Sequence, residues 1–151
     1  MAYDDSRQDT LPHITRVQEL IADICERLAL RAELHDASKL AEPEKSVFDA
    51  HAPQRSRCVY GSEKYNGHLS ELQAALVHHY ANNSHHPEHY QNGVSGMSRL
   101  DLIEMFCDWK AASEKNKNGS FDRSLRINRE RFHLSEQLAN IFENTRRELG
   151  W

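Results

Sequence analysis

The stretch SRLDLIEMFCDWKAAS, residues 98–113, decides how the chain reads. Ser98 followed by Asp101 has the form of a capping box, with Asp in place of the usual Glu or Gln, and so opens a helix. Leu102, Met105, Phe106 and Trp109 then recur on one helical face, and that face is apolar. Asp101, Glu104 and Asp108 stand at i, i+3 and i+7, so three carboxylates share a different stripe of the same helix. Cys107 adjoins Asp108 but points about 100° further round the helix, which suits packing. One side is made for a core, and the other presents acid.

Upstream, Thr10 with Pro12 reads as a helix start, leaving residues 1–9 as a loose lead-in. Ile14, Val17, Ile21, Ile24 and Leu28 follow at helical spacing, and His13, four residues before Val17, shares their buried stripe. The pattern predicts a second helix over Ala32 to Leu40, broken by Pro43, then a short helix over 44–51 and a loop over 52–61. Ser62 is a good N-cap with Glu63 in the first turn. From there Tyr65, Leu69, Leu72, Leu76 and His79 trace one face, so His79 rather than His78 points inward. Asn82, Asn83, Pro87, Gly93 and Gly96 mark residues 81–97 as a polar loop.

Downstream, Lys115 to Gly119 reads as a turn. Helices over 121–132 and 135–148 close the chain, the latter with Leu138, Ile141, Phe142 and Thr145 on one side. No strand alternation interrupts the pattern. The expected fold is all-α: a single-domain bundle of six to seven helices over 10–151.

At 151 residues the chain is long enough for a core without disulfide or metal staples. No stretch approaches the roughly 18–20 apolar residues of a membrane helix. The polar start MAYDDSRQDT lacks the basic residues and apolar run of a secretory signal. Cys25, Cys58 and Cys107 are scattered without metal-finger spacing, which suits reduced thiols in the cytoplasm. The net charge is −4 and no long Lys/Arg stripe forms, so extended nucleic acid is not an expected partner. The final helices and terminal Trp151 offer no clear interface, so nothing supports a homo-oligomer. Histidine is the outlier of the composition: there are ten, and six fall between His68 and His89.

Those histidines give the chain its chemistry. Residues 35–39 read His-Asp-Ala-Ser-Lys, and an adjacent His35-Asp36 pair can ligate one divalent ion. His13 precedes it, while His78-His79, His85-His86 and Asp108 follow on other elements. A metal site needs ligands from several helices, because one helical turn offers only two or three. Singly, each residue has an ordinary structural explanation; together they supply imidazoles and carboxylates from four elements. Such donors suit zinc, iron, manganese, cobalt or nickel.

The ordered set His13-Ile-Thr-Arg-Val17, His35-Asp36-Ala-Ser-Lys39 and Cys107-Asp108-Trp-Lys-Ala-Ala112 resembles the HD-domain superfamily of helical metal-dependent phosphohydrolases. The resemblance spans roughly residues 10–115. It implies His13, His35, Asp36 and Asp108 as ligands of one divalent metal. It further implies Asp36 as the bridge to a second ion held by His79 and by His85 or His86, as in subgroups with two metals. The expected activity is hydrolysis of a small phosphorylated compound, most naturally a nucleotide, with Asp36 and Lys39 as catalytic residues.

Lys39 would contact a phosphate oxygen as a point charge. Asn82, Asn83 and Arg131 are candidate substrate contacts. Asp101 and Glu104 are candidates for orienting the histidines. His51, His68 and His133 read as surface residues. The residues after the dyad, and the Tyr after His78-His79, depart from the cyclic-dinucleotide phosphodiesterase subgroup. The acidic residue that small nucleotidases place after the dyad has Glu42 or Glu44 as candidates.

Two alternatives remain open. One is a di-iron oxygenase on the same scaffold, and the other a non-catalytic module that binds metal or nucleotide. Over nearly its whole length, through HHYANNSHHPEHY and DLIEMFCDWKAA, the chain also resembles an uncharacterised family of short phage and bacterial proteins. That family brings no established activity.

Overall fold

The computed structural model describes residues 6–55, 63, 72–115 and 118–151. The chain is all-α. Among the described residues there are six α-helices and no strand: α1 (Arg7–Leu34), α2 (Glu44–Arg55), α3 (Gln73–Asn82), α4 (Arg99–Glu114), α5 (Phe121–Arg131) and α6 (Glu136–Glu148). Short 3-10 helices lie at Ala37–Leu40, Pro87–His89 and Gly93–Gly96. None of the described helices is long and apolar enough to cross a membrane. The expectations for Cys58, Ser62, Tyr65, His68 and Leu69 fall outside the described residues.

The chain divides into two compact units, Met1–His35 and Asp36–Trp151. The first is essentially α1. This helix begins at Arg7, not at Thr10, because Thr10 bonds back to Ser6: its backbone N–H and its Oγ1 both donate to the Ser6 carbonyl, at 3.0 and 2.7 Å. The loose lead-in is shorter than expected, and Pro12 sits inside the helix rather than at its start. Taken by itself, α1 buries none of its residues, His13 included. The burial expected for the stripe of His13 is therefore not met within this unit.

The expected second helix over Ala32 to Leu40 is the tail of α1 followed by a break. α1 ends at Leu34, and His35 leaves helical geometry at ψ 124°. Asp36 takes a left-handed conformation, φ 56° and ψ 15°, before the 3-10 helix at Ala37–Leu40. Aspartate tolerates this region better than most residues, at a cost of roughly 1 kcal/mol. Helical periodicity runs through the dyad, but the backbone does not.

In the second unit, α4 packs its apolar face against α5 and α6. Met105, Phe106, Trp109, Phe121, Leu134 and Phe142 form the buried cluster. Phe106 is its hub, with ring centroids of Phe121, Phe142 and Trp151 at 5.1, 5.2 and 5.6 Å. Each helix of this group starts on a serine. Ser98 makes a full capping box with Asp101, Ser120 accepts from the Arg123 N–H, and Ser135 accepts from the Leu138 N–H. Buried Leu72, Ala75 and His79 lie at i, i+3 and i+7, which turns one face of α3 inward. α2 starts directly after Pro43 and carries Glu44 in its first turn, where a carboxylate suits the helix dipole.

Candidate metal centre

His79 and the acid stripe of α4 reach the same polar interior of the second unit from different elements. His79 is 1% exposed, whereas the side chain of its neighbour His78 is 41% exposed. The inward choice of His79 on α3 is thus met. His85 and His86 follow the end of α3, on the segment leading to the 3-10 helix at Pro87–His89, with His85 fully buried.

The ring nitrogens divide into two sets. On the outer side, His79 Nδ1 meets Glu44 Oε2 at 2.9 Å and His85 Nδ1 meets Glu104 Oε1 at 3.0 Å. A carboxylate accepts, so each Nδ1 carries the proton and each Nε2 is left with its lone pair in the neutral ring. On the inner side, His79 Nε2 lies 2.9 Å from His86 Nε2 and 3.2 Å from Asp36 Oδ1. His85 Nε2 lies 3.5 Å from the same Asp36 oxygen. Asp36, His79, His85 and His86 each offer one ligand atom, and all four atoms lie within 4.8 Å of one another.

These spacings fit a cation. Metal–nitrogen bonds of about 2.0–2.1 Å place tetrahedral ligand atoms about 3.4 Å apart, and octahedral neighbours about 3.0 Å apart. The separations of 2.9, 3.2 and 3.5 Å cover that range. A divalent cation could take all four atoms as ligands. Burial, then the neighbouring His85 and His79, push the His86 pKa down to about 3, with Asp108 opposing and Lys39 adding to the fall. His86 is therefore neutral near pH 7, the form that ligates.

Supporting groups fix this geometry. Burial pushes the pKa of Glu44 up, but hydrogen bonds from His78, Ser38 and His79 outweigh it and the pKa is lowered overall, so the group stays ionised. Asp101 is buried and accepts from Ser84 Oγ at 2.7 Å, Tyr90 hydroxyl at 2.9 Å, and the Ser98 N–H and hydroxyl at 2.8 and 2.7 Å. Burial opposes ionisation of Asp101, yet these bonds hold its carboxyl well below the usual carboxylate range. Through Ser84 and Tyr90 it ties down the segment on which His85 and His86 sit. Glu104 Oε1 stands 3.0 Å from His85 Nδ1.

The acidic stripe thus has three tasks. Asp101 anchors the segment, Glu104 holds His85, and the charge of Asp108 acts on His86. Carboxylate oxygens of Asp36 and Asp108 also lie within 4.8 Å of each other. Lys39 stands beside the group, its Nζ 2.5 Å from Asp36 Oδ2 and 5.7 Å from the centre of the Phe48 ring.

The expected substrate contacts are placed differently. Asn83 is buried, and its amide donates to the His79 carbonyl at 2.7 Å and to Ser38 Oγ at 2.8 Å, which spends it inside the protein. Asn82 donates to the His78 carbonyl at 2.8 Å. Arg131 pairs with Glu88 at 2.7 Å, tying the end of α5 to the 3-10 helix beyond His86. His13 and His35 belong to the first unit, and the four-atom group is built without them. Sequence reasoning offered Glu44 only as a generic acid after the dyad. No spacing rule links it to His79, 35 residues away.

No curated protein and no solved structure matches the chain. Residues 2–148 match the profile of a family of unknown function, DUF5662. The match covers nearly the whole sequence, so the chain belongs to that family.

Proposed function

We propose that the protein is a metal-dependent hydrolase acting on a small phosphorylated compound, most naturally a nucleotide. The observation that carries this reading is the convergence of Asp36 Oδ1 with the imidazoles of His79, His85 and His86, two of which have their other nitrogen held by a carboxylate. Three imidazoles and one carboxylate favour a transition metal such as manganese, iron, cobalt, nickel or zinc over magnesium or calcium. Such an ion, when bound, lowers the pKa of coordinated water toward neutrality and polarises a phosphoryl oxygen.

The residues of the chain do the rest. Glu44 and Glu104 lock the two buried rings with Nε2 directed inward. Asp36 divides its oxygens, Oδ1 toward the histidines and Oδ2 toward Lys39, so the ammonium is fixed beside the ligand group. Lys39 then offers a point charge to an anionic oxygen of the substrate. The HD resemblance points to the same chemistry.

The test is direct. Protein loaded in turn with Mn²⁺, Fe²⁺, Co²⁺, Ni²⁺ and Zn²⁺ is offered nucleotides and phosphomonoesters, and phosphate release is measured. Turnover that chelation abolishes, and that Lys39→Ala slows, is expected. No phosphate from any substrate with any metal overturns the reading. Oxygen uptake by the iron form without phosphate release selects the oxygenase instead.

A further inference from the structure

Two carboxylates stand against ligand histidines. Glu104 Oε1 meets His85 Nδ1 at 3.0 Å. Glu44 meets two rings, Oε1 facing His78 Nδ1 at 2.8 Å and Oε2 facing His79 Nδ1 at 2.9 Å, and it also accepts from Ser38. Glu44 is 0% exposed, so no solvent stands in for either oxygen. We infer that Glu44 is a positioning residue whose two oxygens must both accept, and that this double acceptance keeps the His79 Nε2 lone pair available to an ion. The inference rests on the metal-binding reading above and names the residue on which one ligand depends.

The chemistry of an amide makes the point testable. Glutamine offers one acceptor oxygen and one NH₂ donor. At position 44 that one oxygen replaces two that face different rings, so His78 and His79 compete for it. Whenever His78 wins, the NH₂ faces His79 Nδ1 and drives that ring to the other tautomer. The proton then sits on Nε2, where the ion should bind. His78 is half exposed and offers no atom to the four-atom group, so its removal should end the competition and free the glutamine oxygen for His79.

Binding of Co²⁺ is followed by its visible absorption and by competition with a chelator, with thermal melting as a check on folding. Glu44→Gln is expected to weaken binding roughly 10–100-fold, as outer partners of metal ligands generally do. The double variant Glu44→Gln/His78→Ala should recover most of the loss, a rescue that a merely structural role for Glu44 does not provide.

No recovery in the double variant overturns the inference while leaving the metal site standing. Absence of Co²⁺ binding by the unsubstituted protein overturns both. Should Glu44→Gln fail to fold, the metal-free unsubstituted protein decides. Its imidazole ¹H–¹⁵N spectrum at pH 8 should show His79 and His85 protonated on Nδ1, and an Nε2-protonated His79 rules the inference out.

Discussion

The two sides of α4 make opposite use of the same turns of helix. One side puts Met105, Phe106 and Trp109 into an aromatic core that needs no ligand. The other puts Asp101 and Glu104 against a segment of serines, tyrosine and histidines, where buried polar atoms tolerate their position only if each finds a partner. Apolar burial is self-sufficient, at roughly 1.5–3 kcal/mol for each large side chain. The polar side is where the proposed cation would add its own stabilisation. The first face should therefore control whether the protein folds, and the second what it binds.

The comparison is broken most severely from the aromatic side. Phe106→Ala removes the ring that touches Phe121, Phe142 and Trp151, and should cost about 3–5 kcal/mol in a denaturant titration. The loss should be the same with or without chelator. An effect that depends on metal would mean the two sides are not separable.

The polar side should behave in the reverse way. With free metal at about one hundred times its dissociation constant, binding should add about 2.7 kcal/mol to the unsubstituted protein. Asp36→Asn should abolish that increment while leaving the metal-free stability nearly intact. Melting curves with and without chelator read both quantities, and an undiminished metal response in Asp36→Asn would remove Asp36 from the site.

Asp101 sharpens the contrast through pH. Its folded-state carboxyl is held well below the value of about 3.9 expected in the unfolded chain. A depressed carboxyl contributes stability above the unfolded value and loses it as pH falls through the folded one. Asp101→Asn should accordingly cost about 1.5 kcal/mol at pH 7, and the difference from the unsubstituted protein should shrink below about pH 4. A constant difference down to pH 2 would contradict the bonding assigned to this carboxylate. The smallest effect is expected at the partly exposed Arg131–Glu88 pair, where Arg131→Ala should cost about 0.5 kcal/mol.

What could be read from sequence follows the same division. The capping box at Ser98 and the face of Met105, Phe106 and Trp109 are local and periodic, and both are present as expected. The inward turn of His79 was legible because it continues the stripe of Leu72 and Leu76. Glu104 was legible as one member of an acid stripe, but its partner was not. Glu44 was hidden because its bonds to His78 and His79 join α2 to α3, across a separation no periodicity encodes. The helix expected through His35-Asp36 failed for a local reason, since Asp36 adopts positive φ where propensity continues the helix. That break starts the second unit at the very carboxylate directed at the histidines.

The claim on which the rest depends is that histidine nitrogens of the second unit hold an ion together with Asp36. X-ray absorption at the metal edge of zinc-loaded protein tests it most directly. The expected spectrum has a first shell of nitrogen and oxygen at about 2.0–2.1 Å, with the outer-shell scattering of several imidazoles. That imidazole signal should diminish in His79→Ala and again in His79→Ala/His85→Ala. An oxygen-only shell, or an imidazole signal unchanged by both substitutions, would contradict the assignment.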